Sequence, residues 1–132
     1  APGIGPFLRW VRATALPVTG VMFYFHTPYY GYDDLFLSAA ERVPFIDELL
    51  RHIRDGLPVL NSSGGLRALR SNRWARPMGC ARVADVDGEW VCCRASGAPG
   101  NVCADCGYAA CTELVMAQRL RPSAVLNLLR YW

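Results

Sequence analysis

The sequence predicts an α/β fold: one βαβ unit from the edge of a parallel sheet, followed by a small cysteine-rich segment with a β-hairpin and short helices. Three observations carry this expectation. Residues 20–28, Gly-Val-Met-Phe-Tyr-Phe-His-Thr-Pro, form a near-continuous apolar run, the pattern of a strand buried on both faces. A capped amphipathic helix follows, and after it a short apolar run, Pro58-Val-Leu-Asn61. From Met78 the composition shifts to Gly, Cys and Asp, and all six cysteines fall between Cys80 and Cys111.

The elements follow in order. Phe7, Trp10 and Val11 stand at helical spacing within residues 6–16 and predict a short helix with that stripe facing inward. The run ending at Pro28 predicts the first strand, and a loop rich in tyrosine (Tyr29, Tyr30, Tyr32) comes next. Ser38 and Glu41 form a capping box, in which each side chain satisfies an orphan amide at a helix start. Ile46, Leu49, Leu50 and Ile53 then repeat at i, i+3, i+4, i+7 and give one core-facing stripe. Arg51, His52 and Arg54 suit the negative end of that helix, and Gly56 suits its stop. Pro44 lies inside it, where it costs roughly 3 kcal/mol or a kink. Pro58–Asn61 is the second strand. Ser62 to Arg70, with Leu66 and Leu69, is a short helix behind a Gly-Gly loop. Arg82–Val86 and Glu89–Cys93 flank Asp87-Gly88, a strong hairpin signal. Residues 112–120 and 123–132 predict two closing helices divided at Pro122.

Composition narrows the function. The chain has 132 residues, 52% of them apolar, enough for one domain with a core. All 14 basic residues are arginine, scattered along the chain, and the net charge is +3. They form no basic stripe with interleaved aromatics, so nucleic acid is not an expected partner. No apolar run reaches the length of a membrane span. The first residues, Ala-Pro-Gly-Ile-Gly, carry neither an initiator Met nor a basic-then-apolar leader. The expectation is a piece of a longer, cytoplasmic protein.

The cysteines read Cys80-x11-Cys92-Cys93-x9-Cys103-x2-Cys106-x4-Cys111. A disulfide framework normally staples a small secreted chain, but here the first 79 residues contain no cysteine. A structural zinc site normally shows two short Cys pairs, and only one Cys-x2-Cys pair is present. Four thiolates holding a [4Fe–4S] cluster fit the set better, although thiolate count alone does not separate zinc from iron–sulfur. With Asp87-Gly88 as a two-residue turn, Arg82 faces Cys93 across the hairpin. Alternation then puts Cys93 and Cys80 on one face and Cys92 on the other. The ligand set is Cys80, Cys93, Cys103 and Cys106, with Cys111 as an alternate.

This constellation resembles the SPASM or Twitch extension of radical S-adenosylmethionine (SAM) enzymes. The residues that carry the likeness are Cys80-x7-Gly88-x4-Cys93 followed by Cys103-x2-Cys106-x4-Cys111. The first and last gaps are slightly shorter than the family's. Phe25-His-Thr-Pro-Tyr29, Asp34-Leu-Phe-Leu37 and Pro58-Val-Leu-Asn-Ser62 are similar to the last strands of a radical SAM barrel, and Cys106-Gly-Tyr108 with Glu113 is similar to its tail. The resemblance implies that residues 1–77 end a (β/α) barrel. It implies that residues 78–132 hold an auxiliary [4Fe–4S] cluster that anchors substrate or relays electrons. It further implies that the rest of the barrel is a missing N-terminal half or a partner chain. The Cys-x3-Cys-x2-Cys motif that cleaves SAM is absent from the 132 residues, so SAM belongs to the complete enzyme only, and this chain alone is expected to be inactive. The competing reading is a stand-alone zinc or cluster module without catalysis.

His26, Asn61 and Ser62 end the two strands, on the edge where α/β folds bind ligands. They are the candidate contacts to substrate or SAM. For Ser62 and Asn61, capping the next helix is the competing role. No catalytic residue is legible.

Overall fold

A computed structural model describes residues 3–15, 17–27, 34–76, 82–91 and 102–131. Five α-helices dominate: α1 (Ile4–Ala13), α2 (Ala39–Arg54), α3 (Ser63–Ser71), α4 (Ala109–Gln118) and α5 (Pro122–Tyr131). A hairpin of β1 (Arg82–Asp85) and β2 (Gly88–Val91) and one 3-10 turn, Val102–Asp105, complete the described elements.

Helix α1 keeps one residue of the expected stripe inside, Val11, and turns the other two, Phe7 and Trp10, outward. Its buried residues are Gly5, Leu8 and Val11, while Phe7 and Trp10 stack on each other on the outer face, their rings 6.1 Å apart. Gly5 lies inside because a Cβ there would stand 3.1 Å from the His52 ring. That close approach lets α1 lie on the end of α2.

Helix α2 follows the sequence closely. Ser38 Oγ accepts from the Glu41 amide, and Glu41 Oε2 accepts from the Ser38 amide at 2.8 Å. At the other end the Leu57 amide bonds to the His52 carbonyl and the Gly56 amide to that of Ile53. Gly56 takes φ +70° there, the left-handed residue of a Schellman stop. Pro44 lies on the exposed side of an unbroken helix.

The parallel relation of the two extended segments is present, but as a single bridge between Val21 and Val59, not two full strands. The Val21 amide donates to Pro58 O and the Leu60 amide to Val21 O, both at 2.9 Å. Asn61 then extends the pairing with its side chain. Its Oδ1 accepts from the Phe23 amide at 2.8 Å and its Nδ2 donates to Phe23 O at 3.0 Å. The Phe25 amide bonds to Gly107 O at 3.2 Å. So one edge of residues 21–25 is paired in three successive ways. On the opposite edge, Met22 and Tyr24 have no main-chain partner among the described residues.

Helix α3 lies within one residue of its expected bounds, and its two glycines stand inside it rather than in a loop before it. Gly64 and Gly65 form its first turn behind the Ser62 cap, whose Oγ accepts from the Gly65 amide at 2.9 Å. Both positions need glycine. A Cβ at Gly65 would collide with the Glu113 carboxylate, and one at Gly64 would stand 2.8 Å from Ser123 Oγ.

The hairpin turn is Val86-Asp87, not Asp87-Gly88: Asp85 pairs with Gly88 and Arg82 with Val91. A primed turn centred on Asp87-Gly88 would need positive φ at Asp87, and only Gly88, at +143°, has it. The sequence instead fits a turn with Asp at its first and Gly at its fourth position. The register moves by two residues, which keeps the parity of the faces. Cys80, Cys92 and Cys93 lie outside the described residues, as do Tyr29, Tyr30 and Tyr32.

One core joins the two halves of the chain. Leu8, Ile46, Leu49, Val59, Leu66, Leu69 and Trp74 pack with Ala109, Val115, Met116 and Ala124. No described helix is long and apolar enough to cross a membrane.

Candidate functional site: an arginine-held cysteine turn

Cys103 lies in the 3-10 turn, Cys106 directly after it, and Cys111 in the first turn of α4. The Cys106 amide bonds to Cys103 O at 3.3 Å and closes the Cys-x2-Cys turn. Cys103 and Cys106 are half-buried free thiols, and Cys111 is buried. Gly107 follows because the chain passes against Phe25 there. A Cβ at Gly107 would lie 2.5 Å from Phe25 Cβ and 2.8 Å from its carbonyl oxygen. The Gly107 amide also donates to Thr27 Oγ1 at 3.3 Å.

Three side chains hold the turn by its carbonyl oxygens. Arg76 Nε donates to Cys103 O at 2.5 Å, and its Nη2 to Ala104 O at 2.9 Å. Asn72 Nδ2 donates to the same Ala104 O at 2.8 Å. Arg42 Nη2 donates to Asp105 O at 2.6 Å. Arg76 is itself fixed, stacked 4.0 Å over the Trp74 ring and bonded to Asn72 Oδ1 at 2.8 Å. Asn72 ends α3 in the left-handed region at φ 50°, which aims its amide at the turn.

Arg42 is the unusual residue. It is fully buried, between the rings of Phe25 and Phe36 at 5.6 Å each. Its Nε and Nη1 have no hydrogen-bond partner among the described residues, and no described carboxylate forms an ion pair with it. Burial pulls its pKa below the ordinary range, with the Cys106 thiol and Asp105 pulling it back up. Burial likewise lowers Arg76, opposed by Cys106, Cys103, Asp105 and Cys111. Both guanidinium groups therefore lie within electrostatic reach of the cysteine turn, and Arg76 of all three thiols. A buried cation costs several kcal/mol unless negative charge answers it. The Asp105 carboxylate and the thiolates of the cysteine turn are the groups placed to supply that charge.

Cys103, Cys106 and Cys111 all act electrostatically on Arg76. Among the described residues, no three His, Cys, Asp or Glu side chains already converge as a metal site. His26 is half-buried between Phe25 and Thr27, the two residues bonded to Gly107, which puts it beside the turn. Asn61 and Ser62 lie elsewhere. Both are buried and occupied with the chain itself: Asn61 with Phe23, Ser62 with α3 and with Glu113 Oε1, which accepts from its amide at 2.7 Å. They also line a cavity of about 460 Å³ with Arg12, Asn127 and Arg130. Glu113 is buried, and burial pushes its pKa up while the Ser62 amide pulls it down.

Sequence reasoning missed Arg42, Asn72, Arg76 and Gly107. A signal existed for Arg42 alone. It stands four residues before Ile46, on the apolar stripe of α2, where an arginine is out of place. Comparison with family profiles, with characterised proteins and with solved structures finds no match for the chain.

Proposed function

We propose that the chain is the iron–sulfur-binding C-terminal part of a radical SAM enzyme, working in a reducing, cytoplasmic setting. Cys103, Cys106 and Cys111, with Cys80 and Cys93 from the preceding segment, are the thiols from which four would hold the auxiliary [4Fe–4S] cluster. The observation that carries this reading is the buried Arg42, which forms no ion pair among the described residues and lies against the cysteine turn, where Asp105 and the Cys106 thiol act on its charge. Four thiolates around a cluster supply net negative charge at that place. The carbonyl bonds from Arg42, Arg76 and Asn72 fix the turn before any metal arrives, and such outer groups orient and tune metal ligands. When bound through four thiolates, the cluster supplies a one-electron carrier, and it anchors a substrate at an open iron only where three thiolates hold it. The chain's own residues hold it, shield it and balance its charge.

The unpaired edge at Met22 and Tyr24 supports the second part of the reading. An open strand edge next to apolar faces calls for another strand, here the remaining barrel strands of the missing N-terminal half or of a partner chain. The test is anaerobic reconstitution of the chain with iron and sulfide. A brown protein whose broad visible absorbance bleaches on reduction is the expected result. A colourless protein that takes zinc and no labile sulfide contradicts the proposal and favours the stand-alone zinc module.

A further inference from the structure

A second group of arginines has a different setting. Arg67 on α3, Arg73 after it, and Arg119 and Arg121 in the α4–α5 turn line one cavity of about 380 Å³. Gly64, Ser71, Pro122 and Ser123 complete its polar and turn-forming wall, with Ala68 and Met116 at its floor. No acidic residue lines it among the described residues. Three other exposed arginines meet carboxylates, Arg70 with Asp47, Arg51 with Glu48 and Arg82 with Glu89, while Arg9, Arg12, Arg54 and Arg130 do not line this cavity. The four that line it make no ion pair and no side-chain hydrogen bond among the described residues. Four like charges around one hollow repel each other, so the arrangement calls for an anion.

Backbone and hydroxyl groups point the same way. The cavity wall includes the start of α5, the positive end of its dipole. Pro122 has no amide proton, and the Ser123 amide has no partner within the described chain. Ser123 Oγ accepts from the Gly64 amide at 3.0 Å, which leaves its own proton for a ligand. The turn that sets Arg119 and Arg121 on either side is held by Arg121 N to Met116 O at 2.9 Å and Leu120 N to Ala117 O at 2.8 Å. Leu120 sits between them at φ 52°.

We infer that this cavity binds the diphosphate or triphosphate group of a small phosphorylated molecule. Arginine forks match phosphate oxygens two at a time, and four of them require more oxygens than one carboxylate or one sulfate offers. The volume falls in the range of small-molecule sites. Among the described residues no aromatic side chain lines it, so they offer no platform on which to stack the bases of a single strand. The inference does not rest on the cluster.

Calorimetry on the full chain with inorganic pyrophosphate and tripolyphosphate tests it. One site per chain, bound at least about tenfold more tightly than sulfate, is expected, with affinity falling as salt rises. The exposed pair R119Q/R121Q should lose at least about tenfold in affinity, with its thermal midpoint unchanged. R67Q should lose a smaller factor, and R54Q, on α2, none. Equal affinity for sulfate and pyrophosphate overturns the inference. So does unchanged binding in both R119Q/R121Q and R67Q, or tighter binding of oligothymidylate than of tripolyphosphate.

Discussion

Two sets of arginines divide this small molecule. Arg42 and Arg76 direct their donors inward, onto the carbonyl oxygens of Cys103, Ala104 and Asp105, and lie between or upon aromatic rings. Arg67, Arg73, Arg119 and Arg121 are exposed and surround a cavity that no described acidic residue lines. The same side chain thus serves two ends. Where it is buried, it fixes a loop and charges its surroundings. Where it is exposed and unpaired, it leaves a field that an outside anion can answer. The difference lies in desolvation, which makes a buried guanidinium depend on nearby negative charge and leaves an exposed one nearly indifferent to it.

The largest effect expected from that comparison is at Arg42. Methionine there keeps packing volume but removes the charge and the bond to Asp105 O. In metal-loaded protein, Arg42→Met should cost about 3 kcal/mol, because it leaves buried negative charge unanswered. In metal-free protein it should cost far less, since an apolar side chain suits an apolar site. Denaturant melts of both forms check this. An equal loss in the two states would show that Arg42 only packs.

Next comes Gly107→Ala. Its Cβ would meet Phe25 at 2.5 Å, and Phe25 and Thr27 both bond to Gly107. The extended segment must move away from the turn, at about 2 kcal/mol. Iron loading should fall with stability, and loading that stays intact would separate the turn from that segment.

Glu113 offers a test by pH. Burial raises its pKa in the folded chain above its unfolded value, so the folded state holds the proton more tightly. Its contribution to stability is present below the ordinary glutamate range and is lost as pH rises through the folded value. Melting the chain from pH 4 to 8 should show stability falling across that window, and Glu113→Gln should remove that part of the slope. A slope unchanged by the substitution would place the cause elsewhere.

The smallest effect compares two helix ends of one design. Gly56 and Leu120 occupy the same left-handed position of a Schellman stop, at φ +70° and +52°. Leucine is the wrong residue for it, by about 1 kcal/mol. Leu120→Gly should therefore stabilise the chain by about that much, and Gly56→Ala should destabilise it by a similar amount, both read as thermal midpoints. A Leu120→Gly variant that also lost pyrophosphate binding would show that the turn's rigidity positions Arg119 and Arg121.

What the sequence made legible was local. The Ser38–Glu41 box, the Gly56 stop and the Ser62 cap depend on neighbours within four residues, and each appears in the structure. The hairpin was legible as a hairpin, but its register turned on the φ of one residue, Asp87, which composition does not reveal. Long-range placements were hidden. Arg42 meets Asp105 across 63 residues, and Asn61 replaces a strand's main chain with its amide for Phe23, 38 residues away. The outward turn of Phe7 and Trp10 was equally hidden, because helical spacing names a stripe without saying which side the core occupies. The cysteine pattern pointed to metal chemistry, while the arginines that would balance it looked like scattered surface charge.

The central claim is that the cysteine turn, held by Arg42 and Arg76, is a cluster site. The most direct test is a competition. The chain and its Cys106→Ser variant are loaded anaerobically with iron, sulfide and zinc together, and all three are counted per chain. The account predicts about four irons and four sulfides on the native chain, little zinc, and a large loss of iron and sulfide in Cys106→Ser. One zinc per native chain with no labile sulfide would contradict it.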